Sequence, residues 1–274
     1  MDPLPPEVTD RIIDFLWADR ASLRSCALTC RSWLPASRFH LFRTLRIWSR
    51  EAFDALIHKS CIPETAEMFR FVQHLSIRER SGSFAHLVPH ILVNKLPNVT
   101  SIDIHDFSVW AVSPDAGFFS ILSRFKGVKA LELRNVQFST IHEMAILLCS
   151  FPSLSRLSLH SCNLIGDLLG PPVHLPPLRT LSLTHLTVDA GSMGIVTSEL
   201  FLEWLLQTPT TRTLQTFKVV TGYLANVMAI SGILTRLIHG LGDTLRAITI
   251  SLSTSVDGVA HVYLERPPNN LPPL

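Results

Sequence analysis

The chain has 274 residues, 47% of them hydrophobic, and a formal net charge of +2 at pH 7. So small a positive charge gives no reason to expect nucleic acid or an anionic membrane as a partner. The mean hydropathy of +0.29 is high, but no apolar segment approaches the ~18 residues of a membrane-spanning helix. The acidic, proline-bearing N-terminus is unlike a signal peptide. We therefore expect an intracellular protein in the cytoplasm, the nucleus or both.

The first 47 residues predict three short helices. Pro5 and Pro6 stand at the start of the first, where a fixed φ helps and a missing N–H costs nothing. Glu7 in the first turn suits the helix dipole. Four apolar residues then recur at helical spacing, namely Val8, Ile12, Phe15 and Leu16. Two further helical segments begin near Leu23 and Arg31.

Nine residues of this segment form a motif in order and nearly in spacing: Leu4, Pro5, Glu7, Ile12, Leu16, Leu23, Leu28, Cys30 and Trp33. The motif resembles the F-box, a small helical module that attaches proteins to SCF-type cullin–RING ubiquitin ligases through the Skp adaptor. The resemblance implies that these nine residues bind the adaptor. Three helices in about 40 residues bury little surface by themselves, so a partner or the following residues should stabilise them. The alternative is a helical subdomain without an adaptor.

A hydrophobic triad recurs seven times after this segment, each time with its second member three positions after the first and its third member two positions later. The triads are Val72-Leu75-Ile77, Val99-Ile102-Ile104, Val128-Leu131-Leu133, Leu154-Leu157-Leu159, Leu178-Leu181-Leu183, Leu214-Phe217-Val219 and Leu245-Ile248-Ile250. Their first members lie 24 to 36 residues apart. A single triad is weak evidence because any strand can show it, but seven at near-constant spacing predict a repeat with one short strand per unit.

The repeat resembles the L-x-x-L-x-L core of leucine-rich repeats. In that family neighbouring units stack in parallel and share one hydrophobic core. The segments between the triads are mostly helical in pattern; Thr140 and Glu143, for example, have the spacing of a capping box. Gly166, Gly170 and Pro171 predict an irregular loop in one of them.

We therefore predict an α/β protein in four parts. A small three-helix F-box occupies residues 1–47, and a helical linker follows in 48–70. Residues 71–253 form a leucine-rich-repeat solenoid with a curved parallel sheet and mostly helical return segments, and 254–274 form a tail.

Residues next to the triads share the open face of the predicted sheet. One basic row follows the third triad members: Arg78, His105, Arg134 and His160, with Thr184 in the fifth unit. We predict that the four basic residues and Arg156 bind an acidic or phosphorylated peptide of a target protein, since guanidinium groups form bidentate hydrogen bonds with such groups. The alternative is a solvated surface on which Asp103 and Glu132 neutralise the arginines in cross-strand pairs. These two acidic residues belong to a parallel row that continues with Ser158 and Ser182.

Signs of catalysis are missing from the sequence. It contains no glycine-rich phosphate loop, no G-x-S-x-G and no zinc-binding helix motif, so we expect no catalytic residue, no cofactor and no metal. His86 and His90 lie one helical turn apart, but Pro89 between them spoils a metal-binding face. The five cysteines form no framework, and we expect buried, reduced thiols.

Together the two resemblances imply a non-catalytic substrate-recognition subunit of an SCF-type ubiquitin ligase. The F-box would bind the Skp adaptor, and through it the cullin–RING ligase. The repeats would hold an unknown target protein near the ubiquitin carrier at high effective concentration. The alternative is a binding scaffold of the same two parts that acts outside a cullin ligase.

Overall fold

The computed structural model describes residues 5–79, 84–107, 116–165, 181–221, 224–241, 244–253 and 259–265. It begins with three short helices: α1 (Pro6–Phe15), α2 (Arg20–Thr29) and α3 (Leu34–Phe42). Pro6 opens α1, and Asp19 caps α2 by accepting hydrogen bonds from the backbone N–H groups of Ala21 and Ser22 at 3.0 and 3.1 Å. The prediction of three short helices is confirmed. We call α1, α2 and α3 the helical module.

The helical module has a small interior of its own. Ile13 of α1 and Leu23 of α2 are fully buried. His40 of α3 joins α1 through a 2.7 Å contact between its Nε2 atom and an Oδ1 atom of Asp14. The ring of Phe39 meets that of Phe71 edge to face, with centroids 6.4 Å apart, which anchors α3 to the residues that follow.

One large sheet forms the centre of the molecule. Eight parallel strands and a final antiparallel strand lie side by side in chain order. They are β1 (Thr44–Ile47), β2 (His74–Arg78), β3 (Ser101–His105), β4 (Ala130–Arg134), β6 (Arg156–His160), β8 (His185–Asp189), β9 (Thr216–Thr221), β10 (Ala247–Ser253) and β11 (Val259–Glu265). A second, two-stranded parallel sheet pairs β5 (Gln137–Phe138) with β7 (Asn163–Leu164).

Helices occupy most of the segments between the strands. The α-helices are α4 (Arg50–Ser60), α5 (Pro63–Ala66), α6 (Val88–Leu92), α7 (Ala116–Leu122), α8 (Ile141–Cys149), α9 (Ala190–Met193), α10 (Ile195–Leu206) and α11 (Leu224–Leu241). Short 3-10 helices span Glu67–Phe71, Ala85–Leu87 and Pro209–Arg212. The start of α8 is capped much as the sequence predicts: the Oγ1 atom of Thr140 accepts from the backbone N–H of Glu143 at 3.2 Å. The Glu143 carboxylate accepts in return from the backbone N–H of Ser139, one residue before the cap, at 2.8 Å.

The hydrophobic core lies between the sheet and these helices. The second and fourth residues of the middle strands are buried because side chains alternate along a strand; in β4 they are Leu131 and Leu133, and in β6 Leu157 and Leu159. Helix residues such as Phe53, Met144, Phe201 and Leu237 belong to the same cluster. The predicted α/β class and the parallel sheet with helical connections are therefore confirmed.

The fifth predicted triad is wrong. The strand of this unit is β8, in which Leu186 and Val188 take the buried positions and pair with Leu157 and Leu159 of β6. The triad in the strand is therefore Leu183-Leu186-Val188, five residues later than Leu178-Leu181-Leu183. With this correction the first members lie 26 to 31 residues apart, which is more regular than the predicted spacing. Gly166, Gly170, Pro171 and Leu178 lie outside the described residues.

Two predicted boundaries also change. The helical linker in 48–70 is part of the sheet unit, because β1 precedes it, and Phe53 and Leu56 of α4 join the main core. The predicted tail, 254–274, contains β11, which pairs with β10 along seven residues.

Candidate functional site

Large apolar side chains are exposed on α1. Val8, Ile12 and Phe15 are 43%, 44% and 79% exposed, respectively. Their spacing of four and three residues puts them on one side of the helix, whereas Ile13 points into the module and is fully buried. We call these three residues the α1 face. Covering such side chains, so that they leave water, would be favourable by about 25 cal/mol per Å² of apolar surface.

Leu28 of α2 is the most exposed large apolar side chain in the part of the chain that the structure describes, at 87%. Trp17, just after α1, is 65% exposed. Exposed apolar side chains that lie singly are normal on a protein surface. Here several of them come from the helical module, which spans only 37 residues, and grouping of this kind is typical of an interaction surface.

The nine predicted adaptor-binding residues separate into three groups. Pro5, Glu7, Ile12, Leu28 and Cys30 are exposed, whereas Leu16 and Trp33 are half-buried. Leu4 lies outside the described residues. Leu23 is a correction: its side chain is fully buried inside the module, so it supports α2 from within and cannot contact a partner.

Val8 and Phe15 were interpreted from the sequence only as part of a helical period. Their place on the exposed α1 face was missed. A signal was present, because Ile13 and Leu16 already supply apolar residues for an inward side, which leaves Val8, Ile12 and Phe15 in excess.

The predicted basic row exists in the sheet. Arg78, His105, Arg134 and His160 are direct neighbours across β2, β3, β4 and β6. We call these four the carboxyl-end row, because they end their strands. The fifth position of the row differs from the prediction: it belongs to Asp189 of β8 rather than Thr184, and Thr187 replaces Ser182 beside Ser158.

The arginines of the carboxyl-end row have carboxylate partners. Arg134 forms an ion pair with Glu132 of its own strand, so Glu132 does neutralise an arginine, but not across strands as the alternative expected. The Nε atom of Arg78 donates to Asp106 at 2.8 Å, a partner that was not predicted. Asp103 instead lies 2.8 Å from the Nε2 atom of His74. These contacts favour a solvated, internally neutralised row over an anion-binding one.

His160 adds little positive charge to the row. Burial, and then the nearby guanidinium of Arg134, lower the pKa of His160 below its ordinary value. The lowered pKa favours the neutral imidazole, and the two arginines of the row are paired with carboxylates.

Arg156 lies in a different place. It opens β6, at the other end of the strands, and lines a solvent-open groove of about 960 Å³ between the helical module and the sheet. Three more arginines line the same groove, namely Arg20, Arg43 and Arg46. We call this the basic groove.

The cysteines fall into exposed and buried sets. Cys26 and Cys162 are buried, as expected, but Cys30 and Cys61 are exposed, which corrects the prediction that the thiols are buried. Among the described residues, no group of three or more His, Cys, Asp or Glu side chains is placed to hold a metal ion. The helices of the described segments include none that is both long and apolar enough to cross a lipid bilayer.

Comparisons with known proteins do not name a family. No protein-family model matches the chain, and no curated protein matches it significantly.

Proposed function

We propose that this chain is a non-catalytic substrate-recognition subunit of an SCF-type cullin–RING ubiquitin ligase. The helical module is an F-box that binds the Skp adaptor, and the parallel sheet with its helices is a leucine-rich-repeat domain that holds a target protein. Ubiquitin transfer then depends on proximity, because a held target meets the ubiquitin carrier at a high effective concentration.

The observation that carries the proposal is the exposure of apolar side chains on the helical module. The α1 face and Leu28 combine large apolar area with little cover from the rest of the chain. These side chains follow the L-P-P-E sequence and precede Cys30 and Trp33, so they lie within the F-box-like motif. An adaptor that covers them would gain apolar burial that the chain itself does not provide.

Details of the sheet support the repeat assignment. The unit that begins at Leu154 continues past its triad with Cys162 and Leu164, in the L-x-x-L-x-L-x-x-N/C-x-L order of leucine-rich repeats. Cys162 is fully buried, and its thiol lies 3.6 Å from the backbone carbonyl oxygens of Leu133 and His160. The thiol therefore links two neighbouring units. The short strands β5 and β7 extend the same two units in parallel.

The test is a matched pair of double variants. In Phe15→Ala with Leu28→Ala, two exposed side chains are truncated, and side chains that act as hot spots of an interface cost about 2 kcal/mol or more each when truncated. We expect adaptor binding to weaken at least ~100-fold, measured with purified Skp adaptor, while the melting temperature stays within ~2 °C of wild type.

The control is Ile195→Ala with Val196→Ala, because these residues of α10 are also exposed, at 37% and 47%. This variant should bind the adaptor like wild type. Unchanged binding by the Phe15/Leu28 variant, or an equal loss in the control, would contradict the F-box assignment.

A binding scaffold outside a cullin ligase is the second candidate, since nothing in the apolar surface requires a cullin. Purified cullin added to the chain–adaptor complex separates the two functions. A stable ternary complex supports the ligase subunit, whereas adaptor binding without cullin supports the scaffold.

A further inference from the structure

The basic groove concentrates positive charge on a nearly neutral chain. Four arginines line it. Arg20 is the first residue of α2 and Arg156 the first of β6, while Arg43 directly precedes β1 and Arg46 lies within it. Of the carboxylates, only Asp14 lines the groove within the described residues. That carboxylate is engaged by the Nε2 atom of His40 at 2.7 Å. The side chains that line the groove therefore sum to a net charge of about +3 before any histidine is protonated. The Asp103 carboxylate contacts the lining residue His74 at 2.8 Å but does not itself line the groove.

The four arginines of the groove differ from those of the carboxyl-end row in their partners. All four are exposed, and within the segments that the structure describes none of them forms an ion pair with a carboxylate. Arg46 instead lies with its guanidinium carbon 5.6 Å from the ring centroid of Trp48. Exposed, unpaired guanidinium groups around one concave surface are the arrangement that binds carboxylate or phosphate oxygens.

The length of the groove indicates the shape of its ligand. Thr44, His74, Ser101, Ala130 and Arg156 are consecutive neighbours across β1, β2, β3, β4 and β6. Four steps of about 4.8 Å separate the first of these strands from the last, or about 19 Å. One small anion cannot contact arginines at both ends of such a distance. An extended peptide rises about 3.3 Å per residue, so about six residues span it.

Neutral groups between the arginines also suit a peptide. Thr44 brings a hydroxyl group to the groove, and Trp17, 65% exposed, also lines it. The hydroxyl groups of Thr100 and Ser101 line it too, but they already form hydrogen bonds with Gln73 and His74. Hydroxyl groups form hydrogen bonds with a peptide backbone. An exposed indole ring offers contact area to an apolar side chain of the ligand.

We propose that the basic groove binds an extended anionic segment of the target protein, about six residues long, in which carboxylate or phosphate groups recur along the chain. This inference rests on the proposed function, because the bound segment is that of a target. It moves the anion-binding surface from the carboxyl-end row, where the arginines are paired, to the opposite ends of the strands. Of the residues predicted to bind a target, only Arg156 belongs to it.

The test uses the full chain, both alone and mixed with purified Skp adaptor, and three fluorescein-labelled eight-residue peptides. Glycine alternates with glutamate in the first, with phosphoserine in the second and with glutamine in the third. We expect fluorescence anisotropy to show binding of one or both anionic peptides at least 10-fold tighter than of the glutamine peptide. The affinity should fall as salt is raised, since exposed charges are screened over about 8 to 10 Å at 0.1–0.15 M ionic strength. The two anionic peptides identify whether carboxylates or phosphates are preferred.

Matched variants locate the site. Arg46→Ala with Arg156→Ala should weaken binding of the preferred peptide at least 10-fold, because it removes one cation near each end of the groove. Arg78→Ala with Arg134→Ala removes the same number of arginines from the carboxyl-end row and should change the affinity less than 2-fold. All four positions are exposed, and melting temperatures of both variants verify that the fold is kept.

Three outcomes overturn the proposal: equal binding of all three peptides, equal losses in the two double variants, or binding of inositol hexakisphosphate in the groove without binding of either anionic peptide. Adaptor pull-down with the same preparations separates this proposal from the assignment of the F-box. Peptide binding without adaptor binding contradicts the ligase function but leaves the groove as a peptide site, and the reverse result contradicts the groove alone.

Discussion

The helical module and the sheet region, β1 to β11 with their helices, use apolar residues in opposite ways. In the sheet region Leu157 and Leu159 are buried against helices of the same chain. In the module Phe15 and Leu28 are mostly exposed, although Ile13 and Leu23 nearby are fully buried. Apolar content alone therefore does not tell whether a side chain is buried in its own fold or exposed on the surface, and only the folded structure separates the two.

Arginines show the same contrast at the two ends of the strands. Arg78 and Arg134 are held by Asp106 and Glu132, whereas the arginines of the basic groove lack such partners within the described segments. A paired arginine contributes to a surface that is already satisfied, and an unpaired one can serve a ligand.

The largest expected effect on stability is that of Leu157→Ala, which tests the contrast between buried and exposed apolar side chains. Leu157 is 1% exposed, so its truncation should lower the free energy of unfolding by about 2 to 5 kcal/mol. Phe15→Ala should lower it by no more than about 0.5 kcal/mol, although it removes a larger side chain, because that side chain is exposed. Urea denaturation of both variants measures the difference. Similar losses for the two would mean that the module buries Phe15 in solution.

Arg156 and Ser158 flank Leu157, and substitutions at these two positions test the register of β6. Alanine at either position should change the free energy of unfolding by less than about 0.5 kcal/mol, because both side chains point away from the core. If Ser158→Ala lowers the free energy of unfolding as much as Leu157→Ala does, the register of β6 must be shifted by one residue, with its two faces exchanged.

The contrast between buried and exposed side chains also predicts different behaviour for two thiols, those of Cys162 and Cys30. Burial raises the pKa of the Cys162 thiol to about 12, from an ordinary value near 9. The folded state therefore favours the protonated thiol: its contribution to stability is complete below about pH 9 and is lost as the pH rises towards 12. Relative to Cys162→Ala, the wild type should lose stability steadily in urea denaturation above pH 9. An unchanged difference between pH 7 and 10.5 would contradict the burial of Cys162.

Cys30 is the matched thiol of the module. Hydrogen bonding with the side chain of Ser32, and then with the backbone of Trp33, lowers the pKa of Cys30. It should therefore react with an aromatic disulfide reagent at neutral pH in the native protein, whereas Cys162 should react only after unfolding. Mass spectrometry of the labelled peptides distinguishes the two. Equal labelling rates of Cys30 and Cys162 in the native protein would contradict the difference in burial between them.

The cap of α8 tests a smaller effect within the sheet region. Thr140→Ala removes the side-chain acceptor for the backbone N–H of Glu143 and should cost about 1 kcal/mol of unfolding free energy. The control Thr140→Ser keeps a hydroxyl acceptor and should retain most of that stability. If the serine variant loses as much as the alanine variant, packing of the methyl group and not the cap is what matters.

The smallest effect is expected in the carboxyl-end row. Arg78→Ala with Arg134→Ala removes two ion pairs whose arginine side chains are 44% and 51% exposed. Exposed pairs contribute between about 0 and 1 kcal/mol each, so the free energy of unfolding should fall only slightly. The difference from wild type should shrink in 1 M salt. A loss of target capture in this variant, with stability kept, would return the target site to the row.

Much of the sheet could be predicted from the sequence because its period is local. Each of the strands β2, β3, β4 and β6 follows from a triad and its spacing. The strand of the fifth unit was predicted wrongly because Leu183 belongs to two overlapping triads, one that begins at Leu178 and one that begins at Leu183 itself. Regularity of spacing favours the second, and Leu181 is buried without lying in a strand.

Other features depend on contacts between segments that a local pattern does not contain. Thr44–Ile47 was interpreted as the end of the helical module, since its partner β2 begins 30 residues later. The pairing of Arg78 with Asp106 depends on a turn after β3 in which Asp106 has a φ of 55°. Aspartate tolerates that left-handed conformation better than most residues, but the carboxylate's direction follows only from the folded turn.

The order of the strands has a consequence for how the protein can be made. Every strand of the large sheet pairs with the strands that come just before and just after it in that sheet along the chain, and the eight parallel strands begin 26 to 31 residues apart. The loop closed by each new pairing is nearly constant in length, so each addition costs a similar amount of entropy. No strand has to wait for a distant segment. A chain leaving the ribosome can therefore lay down the sheet from β1 onward, one strand at a time, while its later part is still being synthesised.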